Sequence, residues 1–180
     1  MAFMKADYSK NQENSYEPLP TGDYEMIITQ AGERATPNGA ESLQIRLTVR
    51  NDLDEALPNT NGKYHNRVVF WDNWRRKATS EYDLDQLQYV LDAAKIPEGT
   101  VLNSIDDFAN AILHKPVLVH VKKAKDTYNG EVRDVNTVAP WDVHETKFAT
   151  VQHEFSQTDE AAGSQQNDGG IDVTDDDLPF

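Results

Sequence analysis

The feature that most constrains this chain is a strict alternation of apolar and polar residues in its first third. The apolar members are Leu43, Ile45, Leu47 and Val49, and the polar members are Gln44, Arg46, Thr48 and Arg50. Successive side chains of a β-strand point to opposite faces, so this period of two predicts a strand with one core face and one outward, basic face. A strand needs neighbours to satisfy its backbone hydrogen bonds, so the chain must build a sheet around it.

Four further segments carry β patterns bounded by turn signals. Residues 24–29 alternate and lead to the turn sequence Pro37-Asn38-Gly39, and residues 63–74 are rich in β-branched and aromatic side chains. Valines alternate with other residues over 117–122, and Asn129-Gly130 predicts a tight hairpin into one more strand. Five strands are therefore expected.

Between the third and fourth of these strands the period changes to that of a helix. Residues 80–95 place apolar side chains at spacings of three and four, with Ser80 and Asp83 as a predicted capping box. A second capping box, Ser104 with Asp107, predicts a shorter helix after it.

The resulting order is β-β-β-α-β-β, with one or two helices between strands three and four. This is the layout of an oligonucleotide-binding fold (OB-fold), a mainly β, five-stranded barrel. The order alone also suits other small barrels and α+β folds.

Charge is unevenly distributed along the chain. The 180 residues carry a formal net charge of −14, and half of it comes from residues 156–180, which hold seven acids and neither Lys nor Arg. That segment is otherwise rich in Gln, Asn, Gly and Ser, which predicts a disordered acidic tail. We expect a flexible leader at 1–17 and one folded domain at 18–155. Because this domain is mildly acidic, any nucleic-acid site in it must be a local basic patch.

The last six residues combine acids with an apolar end. They are Asp175, Asp176, Asp177, Leu178, Pro179 and Phe180. Apolar side chains suit a pocket on a partner protein and carboxylates suit a basic rim around it. The segment is therefore predicted to be a protein-binding tip.

This tip resembles the acidic C-terminal peptide of bacterial single-stranded DNA-binding proteins, which usually ends in Asp-Asp-Asp-Ile-Pro-Phe; only Leu178 departs. The segments GDYEMIIT, LQIRLTVR, NRVVFW and YDLDQLQYVLDAAKIPEG resemble a phage family of such proteins from replication and recombination gene clusters, over about residues 18–141. The resemblance implies an OB-fold that binds single-stranded DNA. It also implies that the tip recruits replication, recombination or repair proteins of phage or host.

Binding of single-stranded DNA without sequence preference combines cations along the phosphates with aromatic rings that stack on bases. The candidates on or after the second and third strands are Arg46, Arg50, Arg67, Trp71, Trp74, Arg75, Arg76 and Lys77. The candidates on the hairpin of strands four and five are Lys122, Lys123, Lys125, Tyr128 and Arg133. Alternation does not decide which of Phe70 and Trp71 faces the core. Trp141 is expected to be structural.

Several other functions find no support in the sequence. There are no cysteines, and the five histidines show no metal-binding spacing. Asp52, Asp54 and Glu55 do not match a calcium loop and are expected to be solvated. No phosphate loop, dinucleotide signature or nucleophile motif is present, so neither catalysis nor a cofactor is expected. No segment approaches a membrane span, and the chain is expected in the bacterial host cytoplasm.

Two alternatives remain at this level. One is a recombination accessory or adaptor protein that uses the tip but does not bind DNA directly. The other is a metal-dependent nuclease using Asp83, Asp85 and Asp92, which helical spacing disfavours because the first two point about 160° apart. The sequence leaves the oligomeric state open, a homo-oligomer included.

Overall fold

The computed structural model describes residues 17–156, except for the side chain of Tyr128. The chain up to residue 16 and the predicted acidic tail from residue 157 onward, with its tip, lie outside the described residues. Within residues 17–156, no helix is long and apolar enough to cross a membrane.

Six strands and three α-helices follow one another in this part of the chain. The strands are β1 (Gly22–Ala35), β2 (Glu41–Val49), β3 (Val68–Trp74), β4 (Pro116–Tyr128), β5 (Glu131–Thr137) and β6 (Val143–Glu145). The helices are α1 (Asn61–Tyr64), α2 (Leu84–Ala93) and α3 (Ile105–Ile112). The prediction of a mainly β fold with two helices between β3 and β4 is confirmed, whereas α1 and β6 were not predicted.

The strands form one antiparallel sheet in the order β3-β2-β1-β4-β5, with β6 beside β4. β1 pairs with β4 through its first half and with β2 through its second, and a bulge lies between Ile28 and Gln30. β3 and β5 approach each other, but no ladder joins them within residues 17–156. The expected five-stranded barrel is therefore corrected to a curled, six-stranded sheet that is not closed.

The inner face of the sheet forms the core together with α2 and α3. The alternation in β2 is confirmed, because its four apolar side chains are all buried. The other core residues include Met26, Ile28, Val69, Trp71, Leu87, Val90, Phe108, Ile112, Val117, Val119 and Val121. Each fully buried aliphatic side chain contributes roughly 1.5–3 kcal/mol of transfer free energy, so this layer holds the domain together.

The two long helices begin at side-chain caps. In α3 the predicted capping residue Ser104 accepts a hydrogen bond from the Asp107 N–H at 3.0 Å. In α2 the capping residue is Asp83, which accepts from the Gln86 N–H at 3.3 Å. The predicted role of Ser80 is wrong, because Ser80 lies in the preceding turn with a φ of 58°.

Residues 17–19 bridge the gap between β3 and β5. Leu19 is buried, and its N–H and C=O bond to the Asn136 side chain of β5 at 2.8 and 2.9 Å. The Glu17 carbonyl accepts a hydrogen bond from Arg67, just before β3. The guanidinium of Arg67 therefore contributes to the fold.

A C-terminal segment, residues 146–155, crosses the outer face of the sheet, and we call it the strap. The Glu25 carboxylate accepts hydrogen bonds from the Thr146 hydroxyl at 2.5 Å and the Lys147 N–H at 3.0 Å. At its far end Asn51 donates to His153 Nδ1 through its backbone N–H at 3.1 Å and pairs through its side chain with the backbone of Glu154. The strap therefore covers the sheet beside the first half of β1.

Candidate nucleic-acid interface

The strap divides the outer face of the sheet into a covered half and an open half. On the covered half, Glu25, Ile27, Thr48 and Arg50 are buried. On the open half the outward side chains of β1, β2 and β3 are exposed or half-exposed, except for Ser42, which is buried. We call these residues the open face; they are Gln30, Gly32, Arg34, Gln44, Arg46, Phe70, Asp72 and Trp74.

Two aromatic rings stand on the β3 edge of the open face. Phe70 is 49% exposed and Trp74 is 46% exposed, whereas Trp71 between them is 4% exposed and packs in the core. Strand alternation explains this, because positions 70, 72 and 74 share one face and position 71 has the other. Trp74 lies where it was predicted. The predicted DNA contact of Trp71 is corrected, because its ring is buried, and the exposed neighbouring ring is that of Phe70.

Cations lie on the neighbouring strands of the open face. Arg46 is directly opposite Phe70 in the β2–β3 register, is half-buried, and donates from Nη1 to the Thr29 hydroxyl at 3.3 Å. Arg34 is exposed, pairs with Ser42 in the register, and within residues 17–156 no carboxylate lies within 4.0 Å of it. The sequence reasoning missed Arg34; the predicted hairpin at Pro37-Asn38-Gly39 would have placed it beside β2.

An acid occupies the middle of the aromatic row. Asp72 is opposite Gln44 and accepts hydrogen bonds from the Ser42 hydroxyl at 2.9 Å and from Gln44 Nε2 at 3.2 Å. The open face therefore carries two arginines and one carboxylate, a local excess of positive charge in a mildly acidic domain.

Arg50 does not contribute to this face, and its predicted DNA contact is corrected. Its side chain is 0% exposed and forms a paired contact with Asp52, Nε to Oδ1 at 2.9 Å and Nη2 to Oδ2 at 2.7 Å. It also donates to the carbonyls of Phe148 and Thr150 in the strap at 2.7 and 2.9 Å. A guanidinium with all these partners is enclosed by protein and does not reach a phosphate.

Asp52 was expected to be a solvated loop residue, and this too is corrected. Burial by itself raises the pKa of Asp52, but the hydrogen bonds from Arg50 and from the Gln152 N–H, with the charge of Arg50, lower it below its ordinary value. The carboxylate is thus held in its charged form as the counter-ion of Arg50.

The cations that follow β3 differ in their ion pairs and in their exposure. Arg75 lies 2.8 Å from both Glu33 and Glu41 and stacks 4.7 Å from the Tyr82 ring, so its charge is balanced within the fold. Arg76 is exposed and pairs with Asp83 at 2.6 Å, and Lys77 is exposed. An open cleft of about 640 Å³ lies between the β1–β2 turn and residues 74–80. Trp74 forms one wall of this cleft.

The β4–β5 hairpin carries four exposed cations, each with a nearby acid. The pairs are Lys122–Asp142 at 3.7 Å, Lys123–Asp134 at 3.7 Å, Lys125–Asp134 at 2.9 Å and Arg133–Asp126 at 3.8 Å. The hydrogen bond from Lys125 is the largest of the influences that lower the pKa of Asp134. Exposed pairs of this kind contribute little to stability, so the cations remain exchangeable toward phosphates. The side chain of Tyr128 lies outside the described residues.

The strand registers place the two hairpins at opposite ends of the sheet. The β1–β2 turn adjoins the end of β3, because Arg34 pairs with Ser42 and Ser42 with Trp74. The β4–β5 hairpin leaves from the opposite end, where Gly22 of β1 pairs with Val121. The β1–β2 turn therefore adjoins the open face, whereas the covered half of β1 lies between the open face and the β4–β5 hairpin.

The helical side of the molecule has a different character. Residues 81–113 contain seven acids and one base, Lys95. Asp83 is a helix cap, whereas Asp85 and Asp92 line an exposed cleft of about 870 Å³ beside α2. Within residues 17–156 no cluster of three or more His, Asp or Glu side chains is placed to hold a metal. Trp141 is 61% exposed in the turn before β6, so its expected structural role is wrong.

Comparisons with known proteins identify a family but no function. A family model described as "Protein of unknown function (DUF669)" matches residues 5–162. No curated protein matches. A solved structure titled "Yeast RPA bound to ssDNA" is 13% identical, with 92% of this chain and 97% of that chain covered, at a TM-score of 0.32. A likeness of this strength identifies neither the fold nor a ligand.

Proposed function

The chain belongs to the DUF669 family of proteins of unknown function, and we propose that it binds single-stranded DNA through the open face, without a recognition sequence. The observation that carries this proposal is the pair of exposed rings, Phe70 and Trp74, on one face beside Arg46 and Arg34. Stacking rings next to cations are what binding of single strands requires.

The spacing of the rings favours a single strand over a duplex. Phe70 and Trp74 are four residues apart on one strand, which is about 13 Å. Bases in a stacked duplex are about 3.4 Å apart and offer no free ring face between base pairs. Two rings at this distance suit bases of an extended strand that are separated by at least one nucleotide.

The strand order supports an OB-fold as the finer description of the sheet. That fold is a partly open Greek-key barrel of five strands, whose second and third strands form the face that binds oligonucleotides, between the loops joining strands one to two and four to five. In this chain the rings and Arg46 lie on β2 and β3, and the corresponding hairpins lie at opposite ends of the sheet. The strand β6 is then an addition to the fold.

The biological role that we propose is protection of single-stranded DNA during phage replication and recombination, in the cytoplasm of a bacterial host. The protein acts without catalysis, and its tip, Asp175 to Phe180, recruits replication, recombination or repair proteins. The resemblance of the body to phage proteins and of the tip to bacterial ones supports this role.

Tryptophan fluorescence tests the DNA proposal directly. Of the three tryptophans, Trp71 is buried, so replacing Trp141 with Phe leaves Trp74 as the exposed reporter. Titration with an unstructured oligonucleotide should quench this variant, and the affinity should fall with salt by about 0.7 in log K per log unit for each phosphate neutralised. Trp74→Phe with Trp141 kept is the matched control and should show little quenching. Absence of both quenching and a mobility shift at low salt removes the proposal.

The second candidate function, an adaptor that does not bind DNA itself, rests on the tip. It predicts partner capture without any oligonucleotide binding. Under the leading proposal, deleting Leu178 to Phe180 abolishes partner capture and leaves DNA affinity nearly unchanged, since the open face is intact. A partner pull-down and an oligonucleotide titration, each carried out on the wild type and on the deletion variant, separate the two functions.

A further inference from the structure

Asp72 stands between the two exposed rings of the open face. It is two residues from Phe70 and two from Trp74 on the same side of β3, about 7 Å from each along the strand. It is half-buried. In the proposed complex, a base stacked on either ring has its edge close to the carboxylate. A charge at this place is unexpected in a phosphate-binding surface and needs an explanation.

Its neighbours fix how the carboxylate is presented. Oδ1 accepts the hydrogen bonds from Ser42 at 2.9 Å and Gln44 at 3.2 Å. Among residues 17–156, Oδ2 has only a long contact of 3.5 Å with Gln44 Nε2. A carboxylate oxygen accepts about two hydrogen bonds, so Oδ2 keeps acceptor capacity in an orientation that is already held.

The position of the cations indicates where the phosphates run. Arg46 lies one strand away from Phe70, on β2, and Arg34 lies two strands away from Trp74, on β1. Between them is a shallow groove of about 250 Å³ over Gly32. A Cβ added to Gly32 meets no other atom of the described chain within 4 Å. Phosphates along this groove avoid the charge of Asp72, and the bases then point toward β3.

Base chemistry decides which bases suit such a carboxylate. Cytosine, adenine and guanine each carry an exocyclic amino group that donates hydrogen bonds, whereas thymine presents a carbonyl at the corresponding place. A fixed carboxylate accepts from the amino groups and repels the carbonyl oxygens of thymine.

We propose that Asp72 gives the open face a preference for bases with an exocyclic amino group, so that oligo(dC) binds more tightly than oligo(dT). This inference rests on the proposed function and deepens it: the preference concerns base composition and requires no recognition sequence. The expected ratio of affinities is about fivefold, the equivalent of one good hydrogen bond to a base.

The test compares oligo(dC) and oligo(dT) of equal length by fluorescence titration, at mildly alkaline pH so that cytosine stays unprotonated. In Asp72→Asn the amide oxygen still accepts from Ser42 and Gln44, while the new N–H₂ group donates to thymine. We expect oligo(dT) to bind more tightly to this variant than to the wild type, and the ratio to fall to about one or below it. Thermal melting confirms that the variant is folded.

Asp92→Asn on α2 is the matched control, because it removes the same charge from an exposed site off the open face. It should leave the ratio unchanged. Equal binding of the two oligonucleotides by the wild type, or an Asp72→Asn variant that tightens both by the same factor, overturns the inference while the proposed function stands. Failure of the wild type to bind either oligonucleotide overturns both.

Discussion

The open and covered halves of the outer sheet face each contain one arginine of β2 or its end, Arg46 on the open half and Arg50 on the covered half. The two residues are four positions apart on the outward side of β2 and its end, and the sequence pattern treats them alike. Arg46 lies on the open face beside Phe70, whereas Arg50 is fully buried beneath the strap. Alternation assigns a side chain to one face of a sheet. Whether that face is exposed to solvent depends on whether another segment of the chain covers it.

The cover comes from far along the chain. Arg50 bonds to strap carbonyls 98 and 100 residues away, and Glu25 bonds to Thr146 121 residues away. On the covered half, therefore, polar residues serve the fold, whereas the polar residues of the open half lie on the surface that we propose binds DNA. Variants on the two halves should therefore differ in their effects on stability and on DNA binding.

The largest expected effect is on stability and separates the two arginines. Arg50→Ala leaves Asp52 as a buried, uncompensated charge and should cost about 3–5 kcal/mol of unfolding free energy. Arg46→Ala should change it by less than about 0.5–1 kcal/mol, because Arg46 is half-exposed. Urea denaturation of both variants measures the difference. Equal losses would mean that the strap does not distinguish the two halves.

The next effect concerns the three aromatic residues of β3. Trp71→Ala removes a core side chain and should cost about 3–5 kcal/mol of stability. Phe70→Ala and Trp74→Ala should leave the melting temperature nearly unchanged and cost roughly 1–3 kcal/mol of DNA binding each. Tyr89→Ala on α2, where the ring is 47% exposed, is the control and should not affect DNA binding. A drop in melting temperature for Phe70→Ala would assign that ring to the core.

A smaller effect should appear in the salt dependence of DNA binding. Arg46→Gln removes one phosphate contact, so the slope of log K against log salt should become shallower by about 0.7. Lys95→Gln, which breaks an exposed pair with Glu145 on the helical side, should leave the slope unchanged. The comparison of open face and helical side fails if both variants change the slope alike.

The smallest effect is the pH dependence contributed by Asp52. Because its pKa is lowered in the folded state, Asp52 contributes stability that is fully present above its ordinary pKa of about 3.8. That contribution is lost as the pH falls through the lower, folded value. The stability difference between wild type and Asp52→Asn should therefore be constant at neutral pH and shrink only in strong acid. A difference that shrinks already near neutrality contradicts the assignment of Asp52 as the charged partner of Arg50.

Much of the fold could be predicted from the sequence because it depends on local patterns. Three features that depend on neighbouring residues are present in the structure. They are the period of two in β2 and β4, the hairpin at Asn129-Gly130 and the cap at Ser104. Both hairpin residues have positive φ, as a tight two-residue turn requires.

What the sequence could not give depends on distant contacts. Phe70 and Trp71 are both large and apolar, so only the register with β2 decides which faces the core. The ion pairs that balance Arg75 and the hairpin lysines depend on which acids the fold brings near them. The strap has no period at all, so nothing in its sequence indicated that it would bury Arg50.

The most direct test of the account is to map the DNA contact onto the backbone. Amide NMR spectra of this 20.3 kDa protein, recorded while an unstructured oligonucleotide is added, report each region separately. We predict that the largest shifts fall at Arg34, Gln44, Arg46 and residues 70–74, with residues 84–93 and the strap unchanged. Shifts concentrated in residues 84–112, with residues 70–74 unaffected, would contradict the claim that the open face binds DNA.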